Sequence, residues 1–483
     1  MKQIASNLLG RVSPKSRFVR SVSVLVGGTA GGQAILVLAA PVLTRLYAPQ
    51  DFGLLAVFAG LLSLFSVVAC LRYELMIPLP DDEKDAAALF LLSLLSLLVV
   101  TALSALLFFT CGTTIVRMLN TPQLGDYLYL LPLSILLFGA YNALHYWAIR
   151  VKEFTLLAKT KLGQAIAAVG IQLAGAPFGP TALLFGQVAG FSAGSLSLGR
   201  HVLLPTWSLV TAVKRADIVR VARRYKNAPL HSSWGALFNM AGWQLPAILF
   251  AVLFDPAAAG IYALANRVLH MPMQLVGQAT GSVFFSHAAQ AEREGKLSGL
   301  VARIHRRLAH IGMAPTLVLL FAGPELFTLV FGPEWRQAGV FAQWLAPWLY
   351  LVLLTSPLSP LFDVLGRQAI GSAYQAVHLL VRVAAIAGGA MIGDAMTAVA
   401  LFAVGNAACS LATMAWIIRA SGNRWREIWQ PTLGALVWSL ALVSPVIVTS
   451  VWGIGGHMWF LALAATAVFV SVRFACLAKG AGA

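Results

Sequence analysis

Apolar residues along this chain run in long blocks rather than in short alternations. Fourteen such stretches stand between polar punctuation, at approximately 22–44, 53–71, 86–110, 127–149, 160–177, 181–199, 231–253, 258–285, 309–331, 341–362, 369–392, 396–418, 433–451 and 458–476. Each comes near the roughly 20 apolar residues that an α-helix needs to cross about 30 Å of hydrocarbon. Helices are predicted for all of them, because backbone polar groups in lipid have to be satisfied within the segment. A β-barrel would instead show segments of about 10 residues with alternating apolarity. The predicted fold class is an all-α polytopic membrane protein with about fourteen transmembrane helices.

Composition points the same way. Of 483 residues, 59% are hydrophobic and 11% charged, against roughly 25% charged in a soluble domain. A larger core cannot produce that deficit, since a soluble surface still faces water. Lys2, Arg11, Lys15, Arg17 and Arg20 precede an apolar block too long for a signal-peptide core, so the first helix is expected to be retained. Cys70, Cys111, Cys409 and Cys476 are scattered without CxxC pairing, and neither disulfides nor a metal site is expected.

The net charge of +17 would suit a nucleic-acid partner, but its placement does not. With fourteen spans, 29 Lys and Arg fall on the side carrying both termini. Only Arg45, Arg117 and Arg336 fall on the other, and Arg267 and Arg382 lie inside spans. The positive-inside rule then puts both termini in the cytoplasm. No single basic face or stacking motif exists for nucleic acid.

An internal repeat sets Leu46-Tyr47-Ala48-Pro49-Gln50-Asp51-Phe52-Gly53 against Leu253-Phe254-Asp255-Pro256-Ala257-Ala258-Ala259-Gly260. Each copy reads as a short turn between two spans, with proline stopping one helix and glycine allowing the next to pack closely. A weaker match sets Leu131-Pro132 and Lys152 against Ala346-Pro347 and Arg367. The predicted organisation is an N-terminal lobe at 1–200, a basic amphipathic linker at 201–228, a C-terminal lobe at 229–425 and two appended spans at 426–483. In the linker, Leu209, Val213, Ile218, Val221, Ala222 and Tyr225 share one helix face, with Lys214, Arg215, Arg220, Arg223, Arg224 and Lys226 around the rest. That pattern predicts a helix lying along an anionic membrane surface.

The run Pro41-Val42-Leu43-Thr44-Arg45-Leu46-Tyr47-Ala48-Pro49-Gln50-Asp51-Phe52-Gly53, followed by Leu71-Arg72-Tyr73-Glu74 and Leu79-Pro80, resembles the Wzx-type polysaccharide flippases. These are oligosaccharide flippases of the multidrug/oligosaccharidyl-lipid/polysaccharide exporter superfamily. The sharp match is confined to the first two spans; segment order and repeat extend it along the chain. The resemblance implies a V-shaped, two-lobed bundle with a central cavity. It also implies a cargo of oligosaccharide on a polyprenyl diphosphate, flipped from the cytoplasmic to the outer leaflet by alternating access. Membrane lipids surround such a protein, and a polysaccharide polymerase and export proteins are its implied partners.

Ionisable groups inside spans cost at least about 2.5–3.5 kcal/mol at mid-bilayer, so they are expected to face a cavity or a partner. Arg267, His270, Gln274 and Gln278 in the eighth span are spaced by 3, 4 and 4, which puts them on one helix face. Gln375, His378 and Arg382 in the eleventh are spaced by 3 and 4. Together they predict a cationic site for a diphosphate, whose oxygens a guanidinium can grip in pairs. The competing reading has each arginine locking helices together through a carboxylate, yet Glu74, Glu325, Asp363 and Asp394 all sit near span ends. A titrating histidine would couple transport to protons, and a packing histidine would not; the sequence leaves both open. In the first lobe Lys161, Gln164 and Gln172 correspond roughly to the eleventh-span stripe, with Lys161 near the cytoplasmic mouth or snorkelling to it. Gln33, Asn142, His145, Trp234, Asn239 and Gln244 either meet sugar hydroxyls or bond helix to helix.

Arg72 and Glu74 are gate candidates or span-end anchors; two apart, they would not face each other on a helix. Asp81, Asp82, Glu83 and Asp85 suit a helix N-terminus. Trp335, Trp344, Trp348, Trp452 and Trp459 read as an interfacial belt. No GxxxxGK[ST], HExxH or GxSxG motif occurs, so no catalytic residue, cofactor or metal is expected. Two alternatives stand beside the flippase. A multidrug or small-molecule extruder would favour buried carboxylates over arginines. An integral-membrane polysaccharide polymerase or glycosyltransferase would need catalytic acids or a large extramembrane loop.

Overall fold

The structure is a computed structural model that describes residues 14–453 and 456–479. Lys2 and Arg11 of the basic leader lie outside the described residues. Among the described residues all regular structure is helical. In chain order the main helices are α1 (Pro14–Leu46), α2 (Pro49–Ser66), α3 (Glu83–Met118), α4 (Leu130–Arg150), α5 (Phe154–Ala174), α6 (Pro180–Leu198), α7 (Arg215–Arg224), α8 (Ser233–Leu253), α9 (Pro256–Arg293), α10 (Leu297–Phe331), α11 (Arg336–Thr355), α12 (Gln368–Ile392), α13 (Ala395–Ala420), α14 (Trp425–Val451) and α15 (His457–Lys479).

Every apolar stretch of the sequence falls on one of these helices, but the count of fourteen spans is not settled by them. Ten helical segments are long and apolar enough to cross a membrane, and His457–Arg473 is a shorter apolar helix. The segments that fall short are α4, α5 and α9. These carry Asn142 and His145; Lys161, Gln164 and Gln172; and Arg267, His270, Gln274 and Gln278. Polar side chains on these helices are what lowers their hydropathy.

The chain divides into two compact units, Met1–Val252 and Leu253–Ala483, so α8 packs with the N-terminal unit. Gln244 of α8 donates to the Ser63 hydroxyl of α2 at 2.8 Å. Within that unit α5 lies against both α1 and α6. The approach to α1 is close enough that a Cβ on Gly28 would stand 2.4 Å from the Ala158 Cβ. In the second unit α10 packs on α11 and α14, while α13 packs on α11 and α12. Gly323 of α10 faces Gly339 of α11, where a Cβ would meet a carbonyl oxygen at 2.7 Å. Small residues at such crossings let helix backbones approach where no hydrophobic drive exists.

The two repeat turns reach one end by different routes. Asp255, preceding α9, accepts the Ala258 N–H at 2.7 Å. In the first copy the aspartate is Asp51, inside α2, which reaches back to the Ala48 N–H at 3.0 Å. Both aspartates satisfy N–H groups that a helix start leaves orphaned, so the repeat keeps the cap and moves its residue.

The linker departs from its predicted setting. Val221 is fully buried, and Leu209, Val213 and Tyr225 pack on the core that holds Phe90 and Trp147. The apolar face of α7 is covered by protein, not lipid. The tryptophan belt is also corrected: Trp335, Trp348 and Trp459 are buried in packed helix contacts, leaving Trp344 and Trp452 exposed.

Candidate functional site

In the second unit the α12 stripe ends on a held guanidinium. Arg382, past the middle of α12, donates from Nε to Oδ1 of Asn406 on α13 at 3.0 Å. Its guanidinium carbon stands 5.9 Å from the centre of the Trp348 ring on α11, within cation–π range. Phe402 of α13 meets Trp348 edge-on at 5.2 Å between ring centres and Tyr262 of α9 at 5.9 Å. Three helices, α9, α11 and α13, thus supply the floor beneath Arg382.

Asn406 is fully buried and its amide nitrogen donates to the Phe402 carbonyl at 2.8 Å. That bond fixes the amide so that its oxygen faces Arg382. His378, one turn before Arg382, lies 3.5 Å from the Thr413 hydroxyl. His378 and, from α9, His270 both lie within the reach of the Arg382 charge. Gln375 is exposed, as are Arg267, Gln274 and Gln278 along α9. Among the described residues Arg267 makes no ion pair, and the groups holding Arg382 just described, Asn406 and Trp348, are neutral. The Trp348 indole N–H is buried with no hydrogen-bond acceptor. The centre is rich in donors.

The acids near span ends have other work. Asp394 caps α13 by accepting the Thr397 N–H at 2.9 Å, and Glu325 pairs with Arg336 at 3.1 Å on the surface. Sequence periodicity found Gln375, His378 and Arg382 but missed Asn406, Tyr262 and Trp348. Asn406 sits alone in an apolar run, a signal that a buried amide has a partner.

The first unit carries a smaller cluster. Lys161 Nζ lies 4.8 Å from the centre of the Tyr141 ring, and the Tyr141 hydroxyl is 3.5 Å from Nδ1 of His145. Gln164 packs against α6 at Gly194, where a Cβ would meet the Gln164 amide nitrogen. Gln172 donates to the Leu183 carbonyl at 3.2 Å, so it joins helices.

Arg72 and Glu74 do meet, at 3.9 Å, contrary to the helical expectation. The chain there is not an α-helix: Leu71 and Arg72 have φ of 50° and 63° before the short 3₁₀ turn Tyr73–Met76. Two adjacent non-glycine residues in the left-handed region are strained. Arg150 holds the following loop, donating to the carbonyls of Ile77 at 3.3 Å and of Pro80. Glu74 is buried with one carboxylate oxygen lacking any partner, and burial pushes its carboxyl above the usual range, partly offset by a backbone hydrogen bond and by Arg72.

Helix order and topology define a class. The fold is similar to that of the lipid II flippase MurJ, with a TM-score of 0.68 and 9% identity over 95% of this chain and 99% of that one. It is also similar to a multidrug resistance MATE family transporter, with a TM-score of 0.63 and 12% identity over 81% of this chain and 95% of that one. A family model described as polysaccharide biosynthesis protein matches residues 42–339. The chain belongs to that family, and ten of its helical segments are long and apolar enough to cross a membrane. Among curated proteins it is similar to the succinoglycan biosynthesis transport protein ExoT of Rhizobium meliloti (strain 1021), 22% identical over 386 residues, 78% of this chain and 75% of that one.

Proposed function

We propose that this protein flips a polyprenyl-diphosphate-linked oligosaccharide from the cytoplasmic to the outer leaflet by alternating access. The observation that carries the reading is Arg382, held by a neutral amide over an aromatic ring one helical turn beyond His378. An anion that leaves water must find donors to replace its hydration, and a guanidinium presents them as a fork matched to phosphate oxygens. Arg382, His378 and Gln375 from α12, with Arg267, His270, Gln274 and Gln278 from α9, bind the diphosphate and the first sugars. Lys161 and Gln164 form a second contact point within their own unit, and Arg72 with Glu74 acts as a gate pair. The similarity to MurJ and ExoT supports a lipid-linked glycan cargo. The protein sits in a bacterial inner membrane with both termini cytoplasmic, in keeping with 29 Lys and Arg on one side against 3 on the other. It hands its cargo to a polysaccharide polymerase and export proteins.

Reconstitution into vesicles with a fluorescent polyprenyl-diphosphate glycan tests this. Label accessible on the far leaflet should appear faster than in empty vesicles. Equal rates overturn the reading.

A further inference from the structure

The connector between residues 201 and 228 holds six cations, and only two of them are used internally. Arg220 and Arg224 both reach Asp85, at 2.7 and 3.5 Å, and Arg220 also pairs with Asp217 at 2.9 Å. Asp85 is buried in the first turn of α3. With Val210 and Val221 buried beneath, these bonds fix α7 to the end of that helix. Asp217 also accepts the Lys214 N–H at 3.0 Å, which caps α7 and holds the carboxyl below its usual range.

Lys214, Arg215, Arg223 and Lys226 are left exposed. Arg215, Val219 and Arg223 recur every four residues and so share one outward stripe. The same stretch of chain also bears exposed apolar side chains: Trp207 is 51% exposed, Leu204 64% and, just past the connector, Leu230 59%. Trp147 donates to the Thr206 hydroxyl at 3.0 Å, which anchors the backbone next to Trp207 while its own ring stays outside. Exposed cations flanked in the chain by a bare indole and leucines suit neither bulk water nor a dry core. They suit the interface of a membrane, where the ring sits at headgroup depth and the cations meet phosphates.

We propose that the outer face of the connector binds anionic phospholipid headgroups, with Lys214, Arg215, Arg223 and Lys226 on the phosphates and Trp207 and Leu204 in the interface. The covered apolar face makes this a docked, basic contact rather than a helix sunk into lipid. It holds whatever the transporter carries.

The test measures binding of fluorescent phosphatidylglycerol and phosphatidylcholine to the purified full chain in neutral detergent. Phosphatidylglycerol should bind more tightly. Each cation removed in the set Lys214→Gln, Arg215→Gln and Arg223→Gln should weaken it about fivefold, with phosphatidylcholine unchanged. Arg215→Lys with Arg223→Lys should keep the preference, since headgroup phosphates here meet point charges. Trp207→Ala should weaken both lipids. Phosphatidylcholine affinity and monodisperse elution report folding. Should the triple variant fail to fold, raising salt on the native chain from about 0.05 to about 0.5 M, which shortens the screening length, must erode the preference. Equal binding of the two lipids, a preference that survives the triple variant or the salt, or tighter binding of a soluble poly-glutamate peptide would overturn the proposal.

Discussion

The cation of the first unit and that of the second are held in similar ways at different positions. Lys161 lies over Tyr141, whose hydroxyl is 3.5 Å from His145, and Arg382 lies over Trp348 one turn beyond His378. From Phe154 to Lys161 the α5 axis rises about 10 Å, and from Gln368 to Arg382 the α12 axis rises about 21 Å, at 1.5 Å per residue. The cation farther along its span is the guanidinium. An ammonium is a strongly hydrated point charge, whereas a guanidinium is more weakly hydrated and can spend one donor on Asn406 while keeping others. Arginine is the cation that can serve a ligand far from the helix start and still be positioned by the protein.

Arg382→Ala is the strongest way to break that contrast. A charge-assisted hydrogen bond is worth roughly 1.5–3 kcal/mol, so flipping in reconstituted vesicles should fall by about ten- to a hundredfold. The variant should still elute as a folded protein, because Trp348 and Phe402 keep their mutual packing. Arg382→Lys should recover only part of the rate: one ammonium cannot reach Asn406 and a ligand with the same fork. Full activity in the alanine variant would remove Arg382 from the site.

Gly389→Val asks whether placement of Arg382 matters as much as its charge. Gly389 lies two turns beyond Arg382, where a Cβ would stand 2.3 Å from the Ala398 Cα. Overpacking of this kind costs about 1–3 kcal/mol, and here it would push α12 off α13 and draw Arg382 from Asn406. Thermal melting should drop and flipping should fall with it, by less than in Arg382→Ala. A lowered melting temperature with unchanged flipping would mean that Asn406 does not position the guanidinium.

Periodicity made half of this centre legible. The spacing of Gln375, His378 and Arg382 is local information, and so is the polar stripe of α9. The floor is not local: Trp348 and Asn406 come from helices separated from Arg382 by a loop or a turn, and only packing reveals that they meet. Trp348 read as a belt residue because a tryptophan in an apolar helix looks the same in sequence whether it faces lipid or a neighbouring helix. The linker shows the same limit. Its apolar face was plain from Val213, Ile218, Val221 and Tyr225, but periodicity cannot tell whether lipid or protein covers a face. At Arg72 and Glu74 the helical spacing rule failed because the backbone at Leu71 and Arg72 turns left-handed.

Lys161→Ala sharpens the comparison from the weaker side. Its ammonium rests on the Tyr141 ring, a contact worth about 0.5–2 kcal/mol. Flipping should fall only a fewfold, and Lys161→Arg should be tolerated no better, since Tyr141 and His145 offer no matching acceptor pair for a fork. A loss equal to that of Arg382→Ala would make the two units equal partners in holding the cargo.

The smallest expected effect concerns Glu74, a buried carboxylate of the first unit with one oxygen left unpartnered. Glu74 is buried, whereas in the second unit Glu325 is half-buried and Asp394 exposed. Burial raises the Glu74 carboxyl above its unfolded value despite Arg72, so the folded state holds its proton more tightly than the unfolded chain does. Stability then falls as pH rises out of the ordinary glutamate range near about 4.3, because the folded protein must ionise an acid that it shelters. Glu74→Gln carries no such charge and should lose that slope. Melting curves of the two proteins from acidic to neutral pH should therefore converge at the acid end, with the variant gaining on the native chain as pH rises. The opposite slope would mean that Arg72 outweighs burial and that the pair is a stabilising anchor. A positive result leaves a strained, poorly satisfied pair beside the second span, which is what a gate that must open requires and what the tightly held Arg382 centre lacks.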